Sequence, residues 1–177
     1  MRRLTAVIAL AATAACSHNT PTPATSPTTR TGRTGRTGSG STTALNAGTA
    51  ADEVVTRTNT ERRGQGLPAL TKSMNLMRAA QIQADQMASA NRLDHELPGA
   101  AYPTLSSRLA AVSYTMAAAG ENIGEGYMSP ADATAGWMGS SGHRANILST
   151  KYSEMGASVA TAKNGTRYWV QVFGRPR

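Results

Sequence analysis

The chain has 177 residues, with 18 Lys and Arg against 10 Asp and Glu, one cysteine and a formal net charge of +8. Arg2, Arg3, Arg30, Arg33 and Arg36 precede Asn46. From there on, 13 basic side chains face all 10 acidic ones, with no clustered basic stripe and no aromatic interleaving, which argues against nucleic-acid binding. One cysteine also excludes an internal disulfide framework, so a hydrophobic core must hold the folded part, and about 130 residues suffice for that.

Residues 1–16 read as an export signal. Met1-Arg2-Arg3 is a positive start and Leu4 to Ala15 an apolar stretch too short for a resident membrane helix. Thr13-Ala14-Ala15-Cys16 resembles a bacterial lipobox, with Thr13 where that pattern prefers an aliphatic residue. The resemblance implies lipidation of Cys16 and attachment to a membrane; cleavage at a nearby Ala-x-Ala site, giving a secreted protein, is the competing expectation. Residues 17–45 are mostly Thr, Pro, Ser, Gly and Arg, with Arg-Thr-Gly repeated from Arg30 to Gly38. Such a segment has too few apolar groups to offset the entropy of ordering and reads as an extended tether.

A domain of residues 46–177 follows. Ala51 to Arg63 reads as a helix with Val54, Val55 and Thr58 on one side, closed by Gly64 and Gly66. A second helix is expected from about Lys72 to Ala90, because Leu76, Ala80, Ala84, Met87 and Ala88 recur at helical spacing while Gln81, Asp85 and Gln86 face out. A loop with His95, Pro98, Gly99 and Pro103 leads to a short helix from Leu105 to Val112. Glu121 to Gly126 reads as an irregular strand. Ser129-Pro130-x-Asp132 is a helix start, with a serine cap, proline in the first turn and an acid near the positive end of the helix dipole, and predicts a helix to Met138. Met155 to Ala162 and Arg167 to Phe173 are strand-like and flank Asn164-Gly165, a hairpin signal that expects positive φ at both residues. The order predicts an α+β domain whose antiparallel sheet ends in a C-terminal hairpin.

Asn59 with Arg62, His95, Ser107-Arg108-Leu109, Gly120-Glu121-Asn122-Ile123, Trp137, Gly142-His143-Arg144-Ala145-Asn146-Ile147-Leu148, Gly156 and Tyr168-Trp169-Val170-Gln171 follow one another in order. This series resembles the CAP superfamily, also called SCP-like, which groups the cysteine-rich secretory, antigen 5 and pathogenesis-related 1 proteins, and is most similar to its bacterial, cysteine-free branch. The resemblance spans roughly Asn46 to Phe173. It implies a three-layer α-β-α sandwich and a cleft lined by His95, Glu121 and His143. Where the eukaryotic pattern has a second glutamate, three residues after the tryptophan, this chain has Ser140. Glu125 and Glu96 are the other acids near these positions.

Two imidazoles and a carboxylate are a reasonable three-ligand set for Zn²⁺, so His95, Glu121 and His143 are the candidate metal ligands, with Glu121 the candidate general base for a metal-bound water. Too few oxygens are present for Ca²⁺. Equally, Glu121 can accept hydrogen bonds within a metal-free cleft wall. Ser140 and Ser141 near His143 lack the strand-turn-helix elbow of a serine hydrolase and read as loop formers. Arg144 and Asn146 are expected to hold a turn, and Trp137, Ile147 and Leu148 to line core or cleft. Of Tyr168 and Trp169, alternation sends one to the core and the other to solvent or a ligand.

Three functional readings follow. The first is an exported, lipid-anchored module of the bacterial cell envelope that binds a lipid, wall component or protein in the cleft formed by His95, Glu121, Ser140 and His143, non-catalytic or weakly metal-dependent. The second is a zinc-dependent hydrolase using His95, Glu121 and His143. The third is a structural envelope scaffold.

Overall fold

The computed structural model describes residues 47–177; the expected signal segment with Cys16 and the tether of residues 17–45 lie outside the described residues. In chain order the elements are α1 (Ala47–Gly64), β1 (Thr71–Lys72), α2 (Met74–Ala90), α3 (Leu105–Ala111), β2 (Met116–Glu125), α4 (Pro130–Gly139), α5 (Ser141–Ile147), β3 (Glu154–Thr161) and β4 (Arg167–Pro176). The strands make one sheet in the order β1-β3-β4-β2. β3 and β2 run antiparallel to β4, while β1 lies parallel to β3.

The side-chain period of two sorts the central strand onto two cores. Tyr168, Val170 and Val172 of β4 join Leu76, Ala80, Ala84 and Met87 of α2 and Leu109 of α3. Trp169 and Phe173 join Val54 and Val55 of α1, Trp137 of α4, Ile147 of α5 and Met155, Ala157 and Val159 of β3. Helices therefore cover both faces, giving the three-layer α-β-α sandwich. Each large side chain so buried contributes about 1.5–3 kcal/mol of apolar transfer. Double coverage also explains why neither Tyr168 nor Trp169 reaches solvent, against the expectation that one would: they are 2% and 0% exposed, one in each core.

Other departures have local causes. Thr71 and Lys72 pair with Glu154 and Met155 as β1, so α2 begins at Met74 behind Ser73 rather than at Lys72. Asn91, with φ 48°, ends α2 in a left-handed cap. β2 is longer and more regular than its glycines suggested, because pairing with β4 from Glu125 back to Met116 supplies its hydrogen bonds, with one register shift between Met116 and Ala118. Only Gly165 takes positive φ (88°) in the hairpin; the Asn164 side chain instead accepts from Thr166 N–H at 3.0 Å. Gly156 is required by close approach, since a Cβ there would run into the Leu76–Met77 backbone of α2.

The run from Gly142 to Ile147 lies in a helix, α5, with Leu148 as its C-cap, and is not a turn. Ser140 ends α4 and begins α5, and Arg144 N–H donates to the Ser140 carbonyl at 2.8 Å. This short helix packs on the edge strand β2 and carries His143 to the sheet margin.

Candidate functional site

Glu121 and Asn122 are neighbours on β2, so their side chains leave opposite faces of the sheet. Glu121 shares its face with Ile123, toward α2 and α3. Asn122 faces Gln171 and α5.

The Glu121 side chain is 3% exposed, and both carboxylate oxygens are engaged. Oε1 lies 2.9 Å from His95 Nδ1 and Oε2 lies 2.8 Å from Arg108 Nη2. A carboxylate can only accept, so Nδ1 of His95 carries the proton and Nε2 is left as the second ring nitrogen on a side chain 48% exposed. Arg108 is fully buried on α3, which the Thr104–Ser107 capping box starts. Its Nη2 also donates to the His95 carbonyl at 3.3 Å and its Nη1 to the Tyr102 and Pro103 carbonyls at 3.4 and 3.5 Å. Gln83 of α2 holds the same loop by donating to the Asp94 carbonyl at 2.6 Å.

On the other side a ladder of neutral groups fixes α5. Gln171 Nε2 donates to Thr58 Oγ1 at 2.7 Å, Asn122 Nδ2 to Gln171 Oε1 at 2.9 Å, and Asn146 Nδ2 to Asn122 Oδ1 at 2.9 Å. Asn122 Nδ2 also donates to the His143 carbonyl at 3.1 Å, tying that histidine to β2. Three carbonyls along the free edge of β2 are covered by side chains. Trp137 Nε1 donates to Ile123, Asn146 Nδ2 to Glu121 and the Tyr152 hydroxyl to Ala119, at 3.0, 3.2 and 3.5 Å. Covered in this way, the edge is closed to strand addition along that stretch.

Burial first, and second electrostatic repulsion from His95, hold the His143 imidazole below its ordinary value. The two histidines thus lie within electrostatic reach of one another.

The sequence-derived candidates divide accordingly. His95 and Glu121 are bonded to each other and His143 lies within electrostatic reach of His95. Ser140 stays at the α4–α5 junction; among the described residues no hydrogen bond links its side chain to the other three, and it makes no side-chain cap on α5. Glu125 lies two strand repeats from Glu121, beyond Ile123 and in register with Tyr168, and Glu96 is exposed with its N–H on Asp94. Among the described residues neither is hydrogen-bonded to His95, Glu121 or His143. Asn146 does bond a backbone carbonyl, as expected, but on β2 rather than within a turn.

The donor set does not fit a zinc ion bound through all three residues. Among the described residues no three His, Cys, Asp or Glu side chains converge as a metal-holding group. The reason is visible at Glu121, whose oxygens are taken by a guanidinium and an imidazole N–H; a second cation there would meet the charge of Arg108. The same pairing occupies both of the oxygens that Glu121 would use as a general base.

Sequence reasoning assigned no role to Arg108, Asn122, Gln171 or Tyr152. A signal existed for Arg108: it precedes Leu109 and follows Leu105 by three on a seven-residue helix, so it falls on the buried side. A cavity of about 690 Å³ lies elsewhere, between α2 and the β3–β4 hairpin, lined by Gln81, Asp85, Asn91, Lys163 and Arg167 among others, and none of His95, Glu121, Ser140 and His143 lines it.

Residues 55–173 match the family described as CAP, the cysteine-rich secretory protein family. The uncharacterized protein YkwD of Bacillus subtilis is 34% identical over 137 residues, which are 76% of this chain and 51% of that protein, so the chain spans about half the length of this curated relative. Among solved structures, an extracellular protein containing an SCP domain from Bacillus anthracis superposes with a TM-score of 0.67 at 26% identity, over 73% of this chain and 41% of its own. An outer surface protein of Borrelia burgdorferi superposes with a TM-score of 0.65 at 17% identity, over 71% of this chain and 92% of its own, a likeness of fold alone. With its two helical layers, its edge-strand glutamate and no cysteine after Cys16, the chain belongs to the CAP (SCP-like) family, on the side of its bacterial members.

Proposed function

We propose that this is an exported, non-catalytic binding domain of the bacterial cell envelope, lipid-anchored through Cys16, that takes a small lipid, wall component or protein segment at the His95–His143 cleft. The observation that carries the reading is the closed state of Glu121. With its carboxylate shared between buried Arg108 and His95, the cleft has no free acid to activate water or complete a zinc site, and what it offers a ligand is imidazole. Export is supported by the signal-like residues 1–16 and by the extracellular SCP-domain protein of Bacillus anthracis that the fold resembles. Among the described residues no helix is long and apolar enough to cross a membrane, so attachment in this proposal falls to Cys16.

Native mass spectrometry of the chain purified from its own envelope tests the reading. The expected result is a lipidated N-terminus and a retained ligand whose occupancy falls at least tenfold in the His95→Ala/His143→Ala double variant. A hydrolytic activity abolished by chelator and by His143→Ala would replace it with the enzyme reading. A domain that retains nothing, with or without the substitutions, would favour a scaffold.

A further inference from the structure

Two arginines are buried in this domain, and they are used differently. Arg62 points only at carbonyls: Nε donates to Pro68 and Nη1 to Ile147 and Ser149, at 2.9, 2.7 and 2.7 Å, holding the end of α5. Arg108 meets a carboxylate, and its Nε is buried without a hydrogen-bond partner. An unpaired buried donor is unfavourable, so the guanidinium is not oriented to satisfy all of its own donors. Its shortest bond by far is Nη2 to Glu121 Oε2 at 2.8 Å; its carbonyl contacts are 3.3 to 3.5 Å. Arg108 reaches His95 twice, at the carbonyl directly and at the ring by way of Glu121. His95 lies in a loop, its ring half exposed, and among the described residues the ring's one hydrogen bond is to Glu121.

We propose that Arg108 is the positioning residue of the cleft: by fixing one oxygen of Glu121 it aims the other at His95, locking that ring with Nδ1–H on the carboxylate and Nε2 as the acceptor offered to ligand. A charged, planar donor held by burial suits this task, because its direction does not relax when the cleft is empty. What Nε2 does for a ligand rests on the binding reading above; how the ring is held does not, and the test uses ligand-free protein.

The experiment is long-range ¹H–¹⁵N spectroscopy of the histidine rings in the full chain, at about pH 8.5 where free imidazole is neutral. The parent protein is expected to show His95 as the Nδ1–H tautomer with an exchange-protected ring proton. Arg108→Met should lose the protected proton and show averaged tautomers, while Val159→Ala, a core truncation elsewhere, should keep the parent pattern. Glu121→Gln gives an answer even if Arg108→Met does not fold. One amide oxygen cannot serve both neighbours; if Arg108 directs the group it takes the oxygen, the amide nitrogen faces His95, and the ring switches to the Nε2–H tautomer. The proposal is overturned if folded Arg108→Met keeps the protected Nδ1–H form, if Glu121→Gln keeps it, or if Val159→Ala loses it.

Discussion

The two sides of β2 are built from opposite chemistries on adjacent residues, and the two sets of side chains are called walls below. Glu121 belongs to an ionic wall in which a buried guanidinium, a carboxylate and an imidazole follow one another. Asn122 belongs to an amide wall, in which Thr58, Gln171, Asn122, Asn146 and Tyr152 are linked without any formal charge. The ionic wall presents a half-exposed ring from a loop, and the amide wall presents a ring from a helix that is itself tied down. The lesson is that a loop needs a strongly directional partner to hold one ring orientation, while a helix already positioned by Ile147 and Trp137 in the core needs only its register fixed.

The difference can be broken first at its most expensive point. Arg108→Ala strands the Glu121 carboxylate, 3% exposed, and is expected to destabilise the domain by about 3–5 kcal/mol in urea unfolding. Asn122→Ala leaves Gln171 Oε1, the His143 carbonyl and Asn146 Nδ2 each short of a partner, for a cost of about 1–3 kcal/mol. Equal losses from the two substitutions would mean that the charge adds nothing to the His95 wall. Tyr152→Phe removes only long bonds, 3.3 Å to Asn146 and 3.5 Å to the Ala119 carbonyl, and should cost about 0.5–1 kcal/mol. A larger loss would place the end of the amide ladder among its main supports.

The layers were more legible than the walls. Helical spacing at Leu76, Ala80, Ala84 and Met87 pointed to a buried face, and all four are buried. The Ser129-Pro130 start was equally readable, because a cap acts within one turn: Ser129 accepts from Asp132 N–H as expected. α5 was hidden because Gly142 and two serines favour turns locally, and only packing of Ile147 against α1, α4 and the sheet makes the segment helical. β1 is two residues long and exists through its pairing with β3, which no local pattern reveals. His95, Glu121 and His143 were grouped by family likeness alone, since the whole of α3, β2 and α4 lies between the two histidines, with Glu121 inside β2. Arg108 was on the page as a letter in a motif; that it would consume the carboxylate could not be read without the fold, because the two are brought together across the α3–β2 connection.

The smallest expected effect tests what sets the charge of the helical wall. The His143 ring lies below its ordinary value of 6.5, through burial first and His95 second. Below that pH the unfolded chain takes up a proton that the folded ring still resists, so the unfolded state binds more protons and stability falls as pH is lowered. The contribution is fully present above 6.5 and its loss levels off once the folded ring also protonates. Asp94 is held below its own ordinary 3.8, chiefly by the Glu96 N–H, and so titrates in a separate, more acidic window. Unfolding free energies between about pH 5 and 8 should therefore decline toward acid in the parent, and His143→Asn should flatten the decline. His95→Asn should soften it only in part, because repulsion is the lesser cause. If removing His95 flattened the profile as fully as removing His143, the two rings would be one coupled unit, and the separation of ionic and amide walls would fail at the point where they meet.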